Sequence, residues 1–224
     1  MTEIKDSLYE HTNNLTTVSG QRVVEWFSGK ELDTFRWGTW TGTGAAYSMN
    51  ENGFRMITGA GQYAAANLGF DATSTSGSPN VVGQFAHNGS VMISVHKWVT
   101  APAYINASSA GLFSTRRGDC AGNDFVSIAT MLWSTNHALR TANGSGVQTT
   151  TASSVNAQSD TDWHTWKIET TSSNCTLAID GVAEVTITAN LPTTSLSPVY
   201  GIQNRDNNSA GTELAIRYCE AYNT

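Results

Sequence analysis

Charged residues are scarce in this 224-residue sequence: Asp, Glu, Lys and Arg together make up only 13% of the chain, against 39% hydrophobic residues. Long amphipathic helices usually carry Lys and Glu along their solvent face, so the shortage of charge argues against a helical fold. Ser, Thr, Asn and Gly supply the polarity instead, which suits many short strands joined by turns. The length is within the range of one large β-sandwich domain.

The sequence also lacks a basic cluster, since Arg116-Arg117 is the only adjacent pair among twelve basic residues and the net charge is −6. Binding to a phosphate backbone normally requires a clustered basic face, so we do not expect a nucleic acid partner. No apolar run approaches the roughly 18 residues of a membrane span, and Met1–Asp6 has no apolar signal core. We therefore expect a protein that is made in a cytoplasm and has no membrane partner.

Cysteine is rare, with only Cys120, Cys175 and Cys219 in the chain. An odd number without a Cys-x-x-Cys pair argues against a disulfide framework and against a zinc site. Cys175 and Cys219 stand in strand-like runs, and we expect them to act as small buried apolar residues. One disulfide remains possible at this point.

Several catalytic signatures are missing. The sequence has no Gly-x-Ser-x-Gly, no His-Glu-x-x-His, no P-loop and no Gly-x-Gly-x-x-Gly fingerprint. These absences give no support to a serine hydrolase, a zinc peptidase or a nucleotide-binding enzyme.

Turn signals between strand-like runs are the strongest local feature of the chain. Type I′ hairpin turns need positive φ at both central residues, and Asn-Gly or Asp-Gly supplies this at the lowest cost. We expect four hairpins, at Asn52-Gly53, Asn88-Gly89, Asn143-Gly144 and Asp180-Gly181.

Alternating apolar residues predict strands with one buried face. The sets expected to share a face are Cys175, Leu177 and Ile179; His164, Trp166 and Ile168; and Leu214, Ile216, Tyr218 and Tyr222. We count roughly twelve to fourteen strands at the usual length of about five or six residues. The four prolines fall between the strand candidates, as expected for a residue that cannot donate to a sheet.

That many antiparallel strands predict an all-β fold, and we expect a two-sheet antiparallel jelly-roll sandwich. Residues 1–20 are polar with little periodicity and are predicted to form an N-terminal arm. Residues 21–224 are predicted to form the sandwich domain.

The C-terminal half resembles a known fold family. Trp163-His164-Thr165-Trp166 and its following strand, then Leu177-Ala178-Ile179-Asp180-Gly181, are similar to the hairpin of concanavalin A-like and laminin-G-like jelly rolls. Phe35-Arg36-Trp37 is similar to the opening strand of such domains, in which the first and last strands pair. Roughly residues 33–224 also resemble structural proteins of marine bacteriophages, which implies a place in a virion as a capsid decoration or tail-associated subunit.

The glucanases of this fold need two carboxylates about 5–5.5 Å apart, which their Glu-x-Asp-x-x-Glu strand supplies. The nearest match here is Glu31-Leu32-Asp33, which lacks the second Glu. His164 is expected to be a buried core imidazole without a carboxylate partner. We therefore predict that the chain is not an enzyme and has no catalytic residues.

Two kinds of binding residue remain as predictions. Exposed aromatic rings stack on sugars, and the candidates lie near Gly-rich segments: Trp37, Trp40, Tyr47 and Tyr63. Trp26, Trp133 and Trp166, in contrast, are expected to pack in the core. Calcium is a possible ligand in this superfamily, and its candidate oxygen donors are Asp119, Asn123, Asp124 and Asp206.

The resulting hypothesis is a non-enzymatic virion protein that presents a lectin-like surface. Its expected partners are other virion proteins, further copies of itself as a homo-oligomer, and a cell-surface glycan. The alternatives are a carbohydrate-binding module and, second, a glycoside hydrolase on the same fold.

Overall fold

The computed structural model describes residues 22–28, 31–32, 37–42, 44–50, 52–59, 65–68, 84–100, 106–114, 124–130, 135–157, 159–204 and 211–224. The predicted N-terminal arm lies outside these residues. Within the described ranges, no helix is long and apolar enough to span a bilayer.

Every regular element of the described chain is a strand. The fifteen strands are β1 (Arg22–Trp26), β2 (Thr39–Thr41), β3 (Ala45–Asn50), β4 (Gly53–Thr58), β5 (Ala65–Leu68), β6 (Gly89–Thr100), β7 (Asn106–Phe113), β8 (Phe125–Thr130), β9 (Asn136–Ala142), β10 (Gln148–Asn156), β11 (His164–Thr171), β12 (Cys175–Ile179), β13 (Val182–Ile187), β14 (Ser197–Asn204) and β15 (Glu213–Asn223).

The strands form two antiparallel sheets. The eight-stranded sheet has the order β13-β12-β11-β6-β15-β4-β3, and β1 pairs with β15 beside that path. The seven-stranded sheet has the order β10-β9-β8-β7-β14-β5-β2. The predicted all-β, two-sheet jelly-roll sandwich is therefore confirmed.

Local turn chemistry predicted the places of three hairpins, and one of them has the expected positive φ at both central residues. Asp180 and Gly181 have φ of 50° and 82° and join β12 to β13 in the tight turn that was expected. The loop at Asn143 to Val147 joins β9 to β10, although it spans five residues, with the positive φ at Gly146. The hairpin between β3 and β4 also forms, with Asn50 paired to Gly53.

The hairpin expected around Asn88-Gly89 is wrong. Phe85 forms an isolated bridge with Leu196 instead of pairing with β6. Both Phe85 and Leu196 are fully buried, so a contact that is distant in sequence decides where the chain before β6 goes. Pro198 is a second correction, since it is the second residue of β14 and not part of a loop.

The core is formed by the facing inner sides of the two sheets. Trp98 and Trp166 from the eight-stranded sheet meet edge to face at 5.7 Å, and His96 stacks on Trp166 at 5.1 Å. The Tyr200 hydroxyl, from β14, donates a 2.8 Å hydrogen bond to Ser94 Oγ of β6. This buried bond connects the two sheets at the centre of the sandwich.

Cys175 and Cys219 are free and fully buried in the eight-stranded sheet, as expected of small apolar residues. Burial raises the pKa of each thiol to about 12. Cys120 lies outside the described residues.

A β-bulge interrupts the alternation of β15. Ile216 pairs with His96 and Tyr218 pairs with the next residue, Val95, so Arg217 is an extra residue in the ladder. Ile216 and Cys219 both point into the core, whereas Arg217 and Tyr218 between them face outward. The expectation that Tyr218 and Tyr222 share the buried face of Leu214 is wrong because the bulge shifts the phase of the strand.

The first and last described strands, β1 and β15, pair as the family resemblance implies. Of the predicted opening strand, Phe35 and Arg36 lie outside the described residues, and Trp37 belongs to none of the described strands. Trp26, expected in the core, is the last residue of β1 and is 66% exposed. Trp166 is buried as expected, and Trp133 lies outside the described residues.

Gly111 on β7 offers a test of the packing. A Cβ at this position would lie 2.3 Å from Val126 O and 2.6 Å from Ser127 Cα, both backbone atoms of the neighbouring strand. Gly111→Ala is expected to lower the free energy of unfolding by about 1–3 kcal/mol through overpacking. Urea unfolding measures the change.

Gly89→Ala is the control for this test, since the nearest atom to its added Cβ is Thr224 Oγ1 at 3.4 Å. Its change should stay within about 0.5 kcal/mol. Equal unfolding midpoints for the two variants would contradict the packing of β7 against β8.

Candidate functional site

Two adjacent rows of residues cross the outer side of the seven-stranded sheet, and one of them consists of small residues. The central members of both rows, on β8 and β9, are at most 5% exposed. Register places Gly201, Ser109, Ala129, Ala138 and Ala152 in one row across β14, β7, β8, β9 and β10. The adjacent row holds Val199, Gly111, Ser127, Arg140 and Thr150. Glycine and alanine on a strand allow a ligand to approach the backbone closely. We call these two rows the small-residue strip.

One basic residue and one hydroxyl give the strip its chemistry. The Arg140 guanidinium carbon lies 5.2 Å from the centre of the Phe125 ring, and Arg140 donates a 2.5 Å hydrogen bond to Gln148. Ser127 Oγ is buried and has no hydrogen-bond partner among the described residues. A buried polar atom of this kind is normally satisfied by water or a ligand.

The outward positions of β8 are Phe125, Ser127 and Ala129, because Val126 and Ile128 belong to the core. None of these three residues is a carboxylic acid. The strand at the centre of the strip therefore supplies no acid for glycosidic bond cleavage by paired carboxylates.

Of the four predicted sugar-binding residues, Trp37 and Tyr47 have described side chains, and the structure does not bring these two together. Trp37 is fully buried, with its ring packed against Phe27 and Tyr200 and its Nε1 donating to Glu25, so it is a core residue and not a stacking surface. Tyr47 is 47% exposed on β3, the edge strand of the other sheet, and stacks on Phe54. Tyr63 lies outside the described residues.

Trp40, another of the predicted sugar-binding residues, is connected to the strip by strand register. It pairs with Asn67 of β5, and Asn67 pairs with Gly201 of β14. The register therefore places Trp40 at the end of the row that runs through Gly201 and Ala129.

Of the predicted calcium donors, only Asp124 is described. Its carboxylate accepts hydrogen bonds from Thr193 N, Thr193 Oγ1 and Thr194 Oγ1, at 2.8–3.1 Å. Asp124 is 2% exposed, so both oxygens are already used to hold the 193–194 segment against the start of β8. Asp119, Asn123 and Asp206 lie outside the described residues, among which no group of three acids, His or Cys could hold a metal ion.

A second polar group lies at the start of β11. His164 Nδ1 is 2.5 Å from Asp180 Oδ2, and its Nε2 is 2.9 Å from Asp160 Oδ2. Buried His137 of β9 places Nε2 at 3.8 Å from the same Asp160 oxygen. The expectation that His164 is a core imidazole without a carboxylate is wrong, because it is partly exposed between two carboxylates.

The pKa values of the two histidines of this group are shifted in opposite directions. Although burial opposes protonation of His164, the hydrogen bonds that it donates to Asp180 and Asp160 raise its pKa above 6.5. Burial is the main cause that lowers the pKa of His137 to about 4, despite the attraction of Asp160. The surroundings therefore favour the charged form of His164 and the neutral form of His137.

The Asp160-His164-Asp180 group connects three segments. Asp160 belongs to the loop before β11, His164 begins β11, and Asp180 lies in the turn after β12 and also accepts from Thr165 N at 2.8 Å. Sequence alternation placed His164 on the same face of the strand as Trp166. It gave no sign that the buried part of this face stops before residue 164. The Asp-Gly turn was the one sequence feature that pointed to this group, since the side chain of a turn aspartate can accept hydrogen bonds from nearby segments.

This ion-pair group predicts a pH dependence of stability. Because folding raises the pKa of His164, its contribution is fully present below pH 6.5 and is lost as the pH rises through the folded value. We expect the free energy of unfolding of the wild type to fall on the alkaline side of pH 6.5, and the fall to be smaller in His164→Gln. Urea unfolding at several pH values between 6 and 9 measures this change in the free energy of unfolding.

His87→Gln is the control, since His87 precedes the other end of β6. It should keep the wild-type pH profile. Parallel curves for the wild type and His164→Gln would show that the carboxylates do not hold a charged imidazole.

Comparison with known proteins gives the fold. No protein-family model and no curated protein matches this sequence. Among solved structures, the chain is similar to a Crh5 transglycosylase, with 16% identity over 92% of this chain and 86% of that one and a TM-score of 0.63. It is also similar to the Bacillus licheniformis β-glucanase, with 12% identity over 93% of this chain and 100% of that one and a TM-score of 0.63. A β-1,3-glucanase from Mycobacterium marinum shares 13% identity over 89% of this chain and 97% of that one, with a TM-score of 0.60.

These similarities confirm the concanavalin A-like jelly-roll part of the resemblance and give no support to its bacteriophage part. The prediction of a non-enzymatic virion protein is wrong, because the solved structures that share the fold are named as glucanases and transglycosylases. At such low sequence identity, the similarity shows the fold alone.

Proposed function

We propose that the chain is a carbohydrate-active protein of the glycoside hydrolase type, which binds a polysaccharide chain across the small-residue strip of the seven-stranded sheet. The observation that carries this proposal is the row of small residues, in which Gly201, Ser109, Ala129, Ala138 and Ala152 cross five adjacent strands and the register puts Trp40 at the end of the row. Small residues allow a sugar chain to approach the backbone of the row, and tryptophan is a residue type that stacks on a pyranose ring.

Two further groups support a sugar ligand. Arg140 and Ser127 are cross-strand neighbours at the centre of the strip, and they offer a donor group and a hydroxyl to sugar oxygens. The shared fold supports the same class of ligand, since its named members include a β-1,3-1,4-glucanase and an endo-β-galactosidase. Polar groups on an otherwise small and apolar surface are typical of sites that orient a ligand.

Cleavage would require a pair of carboxylates, about 5–5.5 Å apart for a retaining enzyme. The outward positions of β8 carry Phe125, Ser127 and Ala129, so the pair must come from residues other than these. For the same reason, a carbohydrate-binding module that uses the same strip is the second candidate. The two candidates share the ligand and differ in whether the ligand is cut.

The first experiment screens neutral polysaccharides for both outcomes. The chain is run through gels that contain β-1,3-glucan, β-1,3-1,4-glucan, chitin oligosaccharides or galactan, and the same ligands are assayed for new reducing ends and for transfer products. We expect retardation by at least one ligand, and new ends or transfer products from that ligand if the hydrolase candidate is right. No retardation and no reaction with any ligand would reject the proposed function.

Trp40→Ala tests the position of the ligand. Loss of an aromatic stacking contact is worth about 0.5–1.5 kcal/mol, so we expect the affinity for the retained glucan to fall up to about tenfold. Tyr47→Ala is the matched control, because it removes an exposed aromatic ring from the other sheet. Equal losses in the two variants would place the ligand elsewhere.

A further inference from the structure

The outer side of the eight-stranded sheet carries aromatic and basic residues that the proposed glucan site does not use. They are grouped around the β-bulge of β15, and we call Trp26, Lys97, Trp163, Arg217 and Tyr218 the bulge patch. All five are described, and each is at least partly exposed.

The bulge is what brings these residues onto one face. An ordinary strand would point Arg217 and Tyr218 to opposite sides, but the extra residue turns both away from the core. Arg217 then lies over Trp163, with its guanidinium carbon 4.1 Å from the ring centre. Tyr218 lies against Trp26, with the ring centres 4.5 Å apart.

Trp26 is unusual for its exposure. Large aromatic side chains are normally well buried, yet Trp26 is 66% exposed and touches only one ring neighbour among the described residues. Trp163 is half-buried at the start of the β11 segment. Trp26 therefore provides an open flat apolar surface of the kind that a pyranose ring covers, whereas the Trp163 ring is already covered by Arg217.

The charge of the patch is positive, in contrast to the net −6 of the chain. Lys97 Nζ lies 5.3 Å from the Trp163 ring centre, on the same ring that Arg217 covers. Neither Lys97 nor Arg217 forms an ion pair with a described residue. By contrast, Lys167 on the same face is paired with Glu169 at 2.8 Å.

Glu220, the carboxylate next to Tyr218 on the same face of β15, is already neutralised. Glu220 pairs with Arg22 at 2.6 Å and accepts a 2.7 Å hydrogen bond from the Tyr218 hydroxyl. Burial and the neighbouring Glu220 raise the pKa of Tyr218, so its hydroxyl remains a donor. The two positive charges over Trp163 therefore stand without an internal anion.

We propose that the bulge patch binds a polysaccharide whose sugars carry carboxylate groups, with Trp26 stacking on a sugar ring and with Arg217 and Lys97, which lie against the Trp163 ring, binding the carboxylates. A guanidinium binds a carboxylate through two parallel hydrogen bonds, and an ammonium adds a point charge beside it. This inference deepens the proposed function by adding a uronate polymer on the opposite sheet, and it rests on the chain being carbohydrate-active.

The test is affinity gel electrophoresis of the whole chain in polygalacturonate, alginate, neutral β-glucan or dextran sulfate. Uronate polymers should retard the wild type. Trp26→Ala and Arg217→Gln should each weaken the retardation at least about fivefold, which corresponds to roughly 1 kcal/mol. Salt should reduce it, because the contribution of exposed charges is screened.

Two matched controls accompany these variants. Lys167→Gln removes a cation from the same face that is already paired, and Tyr47→Ala removes an exposed aromatic ring elsewhere on the sheet; both should be retarded like the wild type. Thermal unfolding checks that each variant is folded. If Arg217→Gln is not folded, Lys97→Gln replaces it in the test.

The outcomes separate the two proposals. Retardation by uronates that is lost in Trp26→Ala but kept in Trp40→Ala supports the bulge patch, whatever the neutral glucans do. No retardation by either uronate polymer, equal retardation of Trp26→Ala and the wild type, or retardation by dextran sulfate alone would each overturn it. Failure of the neutral glucan screen alone would reject the glucan strip and leave the patch supported.

Discussion

The structure depends on the burial of two sheet faces against each other around a polar connection. The Tyr200 hydroxyl reaches across the sandwich to Ser94, and Ser94 in turn contacts His96 Nδ1 at 2.8 Å. Apolar burial drives the sheets together without fixing their relative position, whereas a buried hydrogen bond is costly to leave unmade. The connection therefore favours one alignment of β14 over β6, and that alignment sets both outer faces on which the proposed ligands lie.

The two outer faces differ because different strands supply them. The seven-stranded sheet has regular strands at its centre, so its outer rows of small residues remain in register from β14 to β10. In the eight-stranded sheet, β15 pairs with β4 before the bulge and with β1 after it. The bulge lies where β15 changes its pairing partner from β4 to β1, and it also turns Arg217 and Tyr218 outward.

Local sequence predicted the features that depend on neighbouring residues. Asp180-Gly181 makes its turn with the expected φ values, and Cys175, Leu177 and Ile179 alternate into the core as expected. The features that failed depend on distant contacts. Phe85 bridges Leu196 far along the chain, and Tyr218 leaves the expected face because of a bulge that alternation cannot foresee. Trp26 was expected in the core and is exposed, whereas Trp37 was expected on the surface and is buried. Hydrophobicity alone does not indicate which tryptophan the rest of the fold covers.

The family resemblance predicted the fold correctly and the function wrongly, which is physically reasonable because the core residues that specify the sandwich do not take part in binding. Among the predicted sugar-binding residues, Trp40 lies at the end of the proposed strip by register and its role stays a prediction, while the pairing of Ser127 with Arg140 appears only when β8 and β9 are paired. The Asp160-His164-Asp180 group was missed because its members belong to three separate segments.

The burial of the two free thiols has a consequence for how the sandwich opens. Alkylating reagents attack the thiolate, and at neutral pH a thiol with a pKa near 12 is almost entirely protonated as well as shielded from reagent. Cys175 lies on β12 near one end of its sheet, and Cys219 lies on β15 in the interior. Their reaction with a reagent therefore depends on separation of the strands, and the difference between the two would measure whether the outer hairpin detaches before the sheet as a whole comes apart.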